Sequence, residues 1–458
     1  MEEFDFAIIG AGPGGYSAAF RAANAGTKTC LVEEAAQPGG VCLNAGCIPT
    51  KALLRSASVF SLVERAYDWG VAAEKVTIDF KKMQQRKDRI VSSLGKSLKE
   101  LLEKKGVKLV MGRATVKGPK ECILSLPGGE KKTLRAKKII IATGSKPLIP
   151  KTFPFDGARV LTSDEALQLQ SLPKNILVIG AGYIACEFAY FFAQCGVEVT
   201  LLVRSRVLRR MDESLGNGLA RAFKKMGMRI IAGKRVESLK IKQETVVTQI
   251  DGEILETEKV MLCLGRTPNT TNIGLEELDV RLDGNGFVDI DEHCQTTVSD
   301  IYAIGDITNH KQLANVAFLQ GTVAVEHALG LSTRMDYSAV PACVFSQPEV
   351  ATVGLSEEEA REKYSEIKVE IFPMRRLGKA WVYGETEGFL KLVADGPTGK
   401  LLGAHFLGPY ASELVGEAAL ALKTKSTLED MASNMPIHPS FSEAFTETVK
   451  DLLGIGMY

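Results

Sequence analysis

Two of the nine cysteines, Cys42 and Cys47, stand close together in a glycine-flanked segment that also contains Pro49. Because proline is best tolerated in the first turn of a helix, we expect a helix to begin near Cys47, where its partial positive charge would stabilise a thiolate. We expect Cys42 to lie in an irregular turn that folds back on Cys47, since five residues along a regular helix would separate the two side chains. The pair is suited to redox chemistry; the alternative is two buried core cysteines.

A histidine and an acid near the end of the chain have the types and spacing of a general base and its orienting partner. His438 lies between Pro436 and Pro439, and Glu443 follows five residues later. A carboxylate hydrogen-bonded to an imidazole fixes its orientation and raises its basicity. A lone histidine is more often structural, and the rigid proline segment with a nearby acid favours the catalytic alternative.

Glu187 is an acid in an apolar helical pattern. The residues three and four positions away on either side are Tyr183, Ile184, Tyr190 and Phe191. A carboxylate among such side chains is costly to bury unless it is paired. From the residues alone, the safer interpretation is an acid that only benefits from the dipole of a first helical turn.

A dinucleotide-binding pattern opens the chain. An apolar strand runs into Gly10, Gly12 and Gly15, a helix follows to about residue 25, and a second apolar strand ends at Glu33. Glycines in this spacing allow a tight turn and a close approach to a pyrophosphate, while the acid can bind ribose hydroxyls. The pattern predicts a dinucleotide site at the start of the chain.

The same pattern recurs 170 positions later. Gly180 and Gly182 repeat the first two glycines, Ala185 takes the place of the third, and Val203 takes the place of the acid. The third position tolerates alanine. The second copy keeps the glycines that matter most, so we expect two functional dinucleotide sites rather than one functional and one degenerate copy.

Each copy closes with an apolar strand that ends at a glycine, Gly144 in the first and Gly265 in the second. The first copy is longer by 49 positions, and the cysteine pair lies in the additional segment. A further strand over residues 301–304 leads to Asp306, which could bind a polyol hydroxyl of a cofactor held by the first copy.

Composition limits the classes of function. The chain has 458 residues, 45% of them hydrophobic, and a formal net charge of +1, which gives no reason to expect a nucleic-acid binder. There is no stretch of 18 apolar residues, and the acidic N-terminus is unlike a secretory signal, so we expect a cytoplasmic protein that does not act at a membrane. The histidines and cysteines lack the spacing of a zinc site, so we expect no metal.

The predicted fold class is α/β, with two Rossmann-like dinucleotide-binding domains and a C-terminal α+β domain that begins near Pro341. The predicted domains are a first dinucleotide-binding domain at 1–147 and 271–340, a second dinucleotide-binding domain at 148–270, and the C-terminal domain at 341–458.

Taken together, these motifs resemble the flavin disulfide oxidoreductases, the class I pyridine nucleotide-disulfide oxidoreductase family. The resemblance covers essentially the whole chain in order. It rests on the segment from Gly39 to Lys51, the doubled glycine motif, Ala142-Thr143-Gly144, Ile304-Gly305-Asp306, and His438-Pro439 with Glu443. Within the family, the chain is most similar to the branch that reoxidises protein-bound dihydrolipoamide.

The resemblance implies a role for each of these residues. Cys47 would face the flavin, Cys42 would exchange with substrate, and His438, oriented by Glu443, would be the base for the other subunit's disulfide in a homodimer. Lys51 and Glu187 would form an ion pair beside the flavin. The residues expected to bind FAD are Gly10, Gly12, Gly15, Glu33, Gly40, Lys51, Gly144, Asp306 and Ala314. The residues expected to bind the nicotinamide nucleotide are Gly180, Gly182, Tyr183, Ala185, Val203, Arg204, Arg209 and Gly265.

The end of the second copy departs from the NAD-preferring pattern. Val203 stands where those members have an acid, and Arg204, Arg206, Arg209 and Arg210 follow. Arginines suit the 2′-phosphate of NADP(H), so the nucleotide could be NAD(H) or NADP(H). Alternatively, the arginines only form a solvated loop.

The resemblance implies an enzyme that oxidises protein-bound dihydrolipoamide. Its partners would be the lipoyl domains of 2-oxo-acid dehydrogenase or glycine cleavage complexes. A second enzyme class is an NADPH-dependent reductase of glutathione or a related disulfide. A non-enzymatic scaffold with a vestigial flavin would be a third, and the complete set of thiols, lysine and histidine disfavours it.

Overall fold

The computed structural model describes residues 2–457, which form two compact units. The first unit contains the residues up to Ala52, Lys82–Leu148 and Gly265–Asp336. The second unit contains Leu53–Lys81, Ile149–Leu264 and the residues from Tyr337 on.

The strands of the described residues are numbered β1 to β22 and the α-helices α1 to α13 in chain order. The strands are Glu3–Ile9, Thr29–Glu33, Lys108–Met111, Arg113–Gly118, Glu121–Ser125, Lys131–Ile141, Ser145–Pro147, Val160–Leu161, Asn175–Ile179, Glu198–Val203, Arg229–Ala232, Val236–Ile241, Val246–Ile250, Glu253–Thr257, Lys259–Leu262, Arg266–Pro268, Ile301–Ala303, Ala342–Val344, Glu349–Gly354, Ile367–Pro373, Phe389–Asp395 and Leu401–Gly408. The α-helices are Pro13–Asn24, Gly40–Ala45, Cys47–Glu64, Phe80–Lys104, Ser163–Ala166, Tyr183–Gln194, Glu213–Lys225, Ala314–Ala328, Glu357–Lys363, Gly378–Tyr383, Ala411–Thr424, Leu428–Ala432 and Glu443–Leu453. Short 3₁₀ helices cover Ala66–Trp69, Glu276–Leu278, Gly305–Ile307 and Met374–Arg376.

A parallel sheet forms the core of the first unit, with strand order β3-β2-β1-β6-β17. The first half of β6 continues into an antiparallel ribbon with β5 and β4. Helices α1 and α8 pack against each other. Because a parallel sheet is covered on both faces, its strands are nearly continuous apolar runs, and Ile139, Ile140 and Ile141 are fully buried.

The second unit repeats this arrangement. Its parallel sheet has the order β11-β10-β9-β15-β8, and an antiparallel ribbon of β12, β13 and β14 follows β11. The repeated order is the doubly wound pattern that the two glycine motifs predict.

The additional segment of the first copy lies between its second and third strands. Glu33 to Lys108 spans 75 positions and Val203 to Arg229 spans 26, so this connection alone accounts for the 49-position difference. Helices α2, α3 and α4 occupy it, whereas α7 alone connects β10 to β11.

The C-terminal part of the second unit is an antiparallel sheet, β18-β19-β22-β21-β20, with α11 and α13 packed on it. Its core is formed by apolar side chains of the sheet and of both helices, among them Phe372, Leu390, Phe406, Val415 and Phe445. Within residues 2–457, none of the helices combines the length and the hydrophobicity needed to cross a membrane.

Candidate active site

The two close cysteines meet where α2 ends and α3 begins. Cys47 is the first residue of α3, as expected. The expectation of an irregular turn at Cys42 is wrong, since Cys42 lies in the short helix α2. Gly39 and Gly40 have φ values of 122° and 57°, which let this helix start directly after the loop, and Gly46 separates it from α3.

The thiols share a hydrogen bond, which is the largest cause of a raised pKa at Cys42; burial is the second cause. The nearby charge of Lys51 opposes this rise in pKa and that of Asp306 adds to it. In the dithiol form, Cys42 therefore holds its proton, and negative charge is favoured on Cys47 at the N-terminus of α3. The structure thus brings four of the predicted residues together in the first unit.

Tyr16 is a neighbour of the thiols that the sequence did not reveal. Burial, and then the charges of Cys42 and Cys47, raise the pKa of Tyr16 to about 12, so its hydroxyl stays protonated. Tyr16 follows Gly15 directly, and that position on α1 is the only sequence signal for it.

The first glycine turn leaves no room for side chains. A Cβ on Gly10 would meet the Ala142 carbonyl oxygen at 2.4 Å, and one on Gly15 would meet the Gly10 oxygen at 1.8 Å. A Cβ on Gly40 would lie 2.5 Å from the Cα of Gly12. No side chain caps α1 at Gly12, so the N–H groups of its first turn are available to an anion such as a pyrophosphate.

Glu33 ends β2 and is 8% exposed. Its Oε2 accepts from the Ala11 N–H and its Oε1 from the Ala35 N–H, both at 2.8 Å. It borders a cavity of about 310 Å³ beside the glycine turn, which suits the adenosine end of a dinucleotide. Gly112, Arg113, Lys146 and Asn269 also line this cavity, and no sequence motif marked them.

Asp306 lies just after β17, in a 3₁₀ turn. Its Oδ2 accepts a hydrogen bond of 2.7 Å from the Ser145 hydroxyl, and the Nε of Arg266 lies 3.7 Å from it. Ser145 and Arg266 fix this carboxylate, and no sequence motif marks either residue.

Three further predicted cofactor residues lie at element ends in the first unit. Gly144 follows β6 with φ 68°, and its carbonyl accepts from the Asn269 N–H at 2.9 Å. Ala314 begins α8, whose N-terminus lacks a side-chain cap. Gly265 accepts a hydrogen bond of 3.0 Å from the Leu148 N–H.

The second glycine turn reproduces the geometry of the first. A Cβ on Gly180 would meet the Cys263 carbonyl oxygen at 2.2 Å, as one on Gly10 would meet Ala142. Gly182 precedes α6 without a side-chain cap, Tyr183 is the first residue of that helix, and Ala185 is fully buried. This turn therefore also presents unpaired N–H groups at a helix N-terminus.

The strand after this turn ends at Val203, which is fully buried. We call the following segment, Arg204–Asp212, the arginine loop. Arg204 and Arg209 are exposed, whereas the Nη1 of Arg206 is buried without a hydrogen-bond partner.

Glu187 is 3% exposed on α6. Its Oε1 accepts a hydrogen bond of 3.0 Å from the Phe345 N–H. Lys51 belongs to the first unit and Glu187 to the second, and their ion pair stays a prediction.

His438 and Glu443 are in contact. Nδ1 of His438 donates to Oε1 of Glu443 at 2.8 Å, and Oε2 of Glu443 accepts from the Ser440 N–H at 2.8 Å. The imidazole is 76% exposed, while the carboxylate is 16% exposed. The bond to Nδ1 leaves Nε2 as the nitrogen that can accept a proton.

Comparisons with known proteins agree with this geometry. Residues 4–321 match the family model described as pyridine nucleotide-disulphide oxidoreductase, and residues 340–449 match the dimerisation domain of that family. The chain belongs to the pyridine nucleotide-disulphide oxidoreductase family. This membership confirms the predicted oxidoreductase class and the cofactors FAD and NAD(H), and the dimerisation domain supports a homodimer.

Relatives of this family member match over its full length. A dihydrolipoyl dehydrogenase of Bacillus subtilis is 39% identical and covers 97% of both chains. One of Chlamydia muridarum is 38% identical over 98% of this chain and 96% of its own. The crystal structure of LpdA from Mycobacterium tuberculosis superposes with a TM-score of 0.92 at 26% identity, covering 99% of this chain and 100% of that one. The predicted two-Rossmann and dimerisation-domain architecture is confirmed.

Proposed function

We propose that this chain oxidises protein-bound dihydrolipoamide, with electrons passing through Cys42 and Cys47 to FAD and then to a nicotinamide nucleotide. The observation that carries the proposal is the thiol pair at the head of α3, in which the hydrogen bond favours the proton on Cys42. Full-length relatives named dihydrolipoyl dehydrogenase support the same activity. Nothing in the comparisons favours a glutathione-type reductase.

The first unit would hold FAD. The glycine turn and Glu33 would receive the ADP half, and Asp306 would receive the ribityl hydroxyls, with Gly40, Gly144 and Ala314 forming the surrounding backbone. When bound, FAD supplies a two-electron acceptor that takes electrons from a thiol pair and returns them as a hydride to a nicotinamide.

Substrate exchange would take place at Cys42. A substrate thiolate attacks the sulfur of Cys42 in the Cys42–Cys47 disulfide, so that a mixed disulfide forms and Cys47 leaves as a thiolate. The second substrate thiolate then attacks the substrate sulfur of this mixed disulfide and releases Cys42. The products are lipoamide disulfide and the enzyme dithiol, and two electrons have moved to the protein.

The protons of this exchange need a base, and we propose His438 for that role. Its Nε2 would take a proton from a substrate thiol while Glu443 stabilises the resulting imidazolium. Because the imidazole is exposed, it could act at the partner subunit's disulfide in a homodimer. Each active site would then need residues of both chains.

The remaining assignments complete the proposal. Lys51 and Glu187 would form an ion pair beside the flavin, and Gly180, Gly182, Tyr183, Ala185 and Gly265 would bind the nicotinamide nucleotide. The FAD-binding, NAD(P)-binding and interface domains would occupy 1–147 with 271–340, 148–270 and 341–458. The protein would act in the cytoplasm on lipoyl domains of 2-oxo-acid dehydrogenase or glycine cleavage complexes.

A single steady-state comparison tests this function. The FAD-loaded enzyme is assayed with dihydrolipoamide and NAD⁺ or NADP⁺, and separately with glutathione disulfide and NADPH. Turnover with dihydrolipoamide at least a hundredfold above that with glutathione disulfide is expected. The reverse ratio would overturn the proposed substrate.

A further inference from the structure

Three titratable side chains that the proposed catalytic steps do not use are buried together in the second unit. Asp212 is 0% exposed, His405 1% and Lys391 4%. Asp212 ends the arginine loop and caps α7, accepting from the Ser214 N–H at 3.0 Å. Lys391 lies on β21 and His405 on β22, so the cluster joins the end of the loop to the C-terminal sheet.

Asp212 is held from several sides. The Nζ of Lys391 donates to its Oδ1 at 3.0 Å and its Oδ2 at 2.8 Å, and also to Oε2 of Glu357 at 2.8 Å. Oδ2 of Asp212 accepts a further bond of 3.0 Å from the Glu357 N–H. A buried pair with this many hydrogen bonds fixes the position of the residues that carry it.

His405, the third side chain of the cluster, is neutral. Burial lowers the pKa of His405, and its Nε2 donates to the Leu355 carbonyl at 3.0 Å while Nδ1 accepts from the Thr352 hydroxyl at 2.7 Å. The Nε2 lies 3.8 Å from Oδ2 of Asp212. Lys391 is therefore the cation that compensates the buried carboxylate.

The arginine loop is also tied to the second glycine turn. The Leu208 N–H donates to the Ala181 carbonyl at 2.9 Å, and Leu208 itself has a left-handed φ of 50°. A Cβ on Gly216 of α7 would meet the Val207 oxygen at 2.1 Å, so loop and helix are in close contact. Asp212 thus anchors the end of a segment whose middle lies against the nucleotide-binding turn.

The arginine loop carries four arginines close to the second glycine turn. Arg206 Nη1 is buried without a hydrogen-bond partner, while Arg204 and Arg209 are exposed. Arg210 is close enough to Tyr183, at the start of α6, for its charge to oppose the rise in the pKa of Tyr183 that burial causes. These guanidinium groups follow the end of β10, and guanidinium groups bind phosphate and other anions strongly.

We propose that Asp212 and Lys391 are positioning residues for the nicotinamide nucleotide. Their buried ion pair, anchored in the C-terminal sheet, holds the arginine loop where it receives the adenosine ribose and its 2′ substituent. The inference rests on the proposed function in one respect, namely that the second glycine turn binds the nucleotide.

Isothermal titration of the FAD-loaded enzyme with ADP-ribose and with its 2′-phosphate tests this role. These probes contain the adenosine ribose and lack the nicotinamide, so they report on the loop without turnover. In Lys391→Met, we expect both affinities to fall at least fivefold, with the larger loss for the probe that binds the unmodified enzyme more tightly. Lys391→Arg, which keeps the charge and two donors, should recover much of the loss.

A second variant separates positioning from stability. In the double variant Asp212→Asn with Lys391→Met, no unpaired charge stays buried, because Glu357 keeps its bond from Arg361. Asparagine still caps α7, so we expect the variant to fold. We expect its affinities to stay at least fivefold low, because the hydrogen bonds to the sheet are absent. The matched control is Lys138→Met with Asp300→Asn, which removes a partly buried ion pair of the first unit.

If the affinities of the double variant stay within twofold of those of the unmodified enzyme, the inference is overturned. An equal loss of affinity in the control variant would also overturn it. Oxidation of dihydrolipoamide by the unmodified enzyme is measured in parallel. An enzyme that shows the expected binding changes without oxidising dihydrolipoamide would contradict the proposed function and leave the positioning role intact.

Discussion

The two glycine turns have nearly the same backbone and different ends. Gly10 and Gly180 pack against the equivalent carbonyls, of Ala142 and Cys263, and both turns open onto an uncapped helix. The first copy ends in Glu33, which is hydrogen-bonded to two backbone N–H groups, whereas the second ends in Val203 and the arginine loop. In the proposed function the shared part would bind a pyrophosphate in both copies, so the different ends would select the dinucleotide.

The copies also differ in what is inserted and what anchors them. The first carries α2 and α3 with both thiols, between its second and third strands. The second has only α7 at that position, and Asp212 at the start of α7 is tied by buried charges to the C-terminal sheet. In the proposed function, one framework would serve dithiol chemistry in the first copy and binding of the nicotinamide nucleotide in the second.

The largest expected effect tests whether these two tasks are separable. His438→Ala should lower dihydrolipoamide oxidation by on the order of a hundredfold or more, the scale of losing a general base. Transfer from NADH to an artificial electron acceptor should stay near the unmodified rate, since it needs no thiol proton transfer. Glu443→Gln should give a smaller loss in the same assay only. Equal losses in both assays would mean that His438 is structural.

Exchanging the last residues of the two copies tests which dinucleotide each end selects. Glu33→Val gives the first copy the ending of the second and leaves the Ala11 and Ala35 N–H groups without their acceptor. The substitution also removes the acid proposed to bind the ribose hydroxyls of FAD. A hydrogen bond to a charged group contributes about 1.5–3 kcal/mol, so FAD should bind roughly tenfold to a hundredfold more weakly. Fluorescence of released FAD on dilution measures this. Unchanged retention of FAD would show that Glu33 has no part in binding it.

The reverse exchange acts on the second copy. Val203→Glu with Arg204→Ala should shift the nucleotide preference toward NAD(H) by about tenfold, because an acid binds the 2′-hydroxyl and repels a 2′-phosphate. High salt should weaken NADPH binding more than NADH binding in the unmodified enzyme. Steady-state kcat/KM for both nucleotides provides the check. A large preference of the unmodified enzyme for NAD would show that the arginines face solvent.

The smallest effect concerns the buried cluster of the second copy. Since the pKa of His405 is lowered in the folded protein, the unfolded chain binds more protons below its ordinary value of about 6.5. The free energy of unfolding should therefore decrease as the pH drops below about 6.5. This group contributes at most about 1.4 kcal/mol per pH unit. The pKa of Asp212 is also lowered, and its contribution is lost only below about pH 4.

Thermal unfolding between pH 7.5 and 5.5 measures this dependence. His405→Gln, which keeps a donor for the Leu355 carbonyl, should show a flatter curve than the unmodified protein. Some slope should persist, because the pKa values of His310 and His327 are lowered as well. Parallel curves for the two proteins would rule out His405 as the titrating group.

Local patterns predicted the framework and much of the candidate site. The glycine spacing predicted both turns, and the offset between the two copies revealed an additional segment with the cysteine pair, because these features depend on residues adjacent in sequence. The helical position of Cys42 was missed, since it depends on the left-handed φ values of Gly39 and Gly40. Arg113 and Asp212 carry no local signal, and Tyr16 carries only its position after Gly15. Their surroundings arise only when distant strands and helices pack together.

The electronic spectrum of the two cysteine variants tests the central claim most directly. If Cys47 is the thiol that faces the flavin, FAD-loaded Cys42→Ser should show a broad long-wavelength charge-transfer band without any reductant, because the Cys47 thiolate is no longer in a disulfide. Cys47→Ser should lack the band, even after two-electron reduction. A band in Cys47→Ser and none in Cys42→Ser would reverse the two roles, and no band in either variant or in the reduced unmodified enzyme would contradict the assignment of this pair as the redox centre.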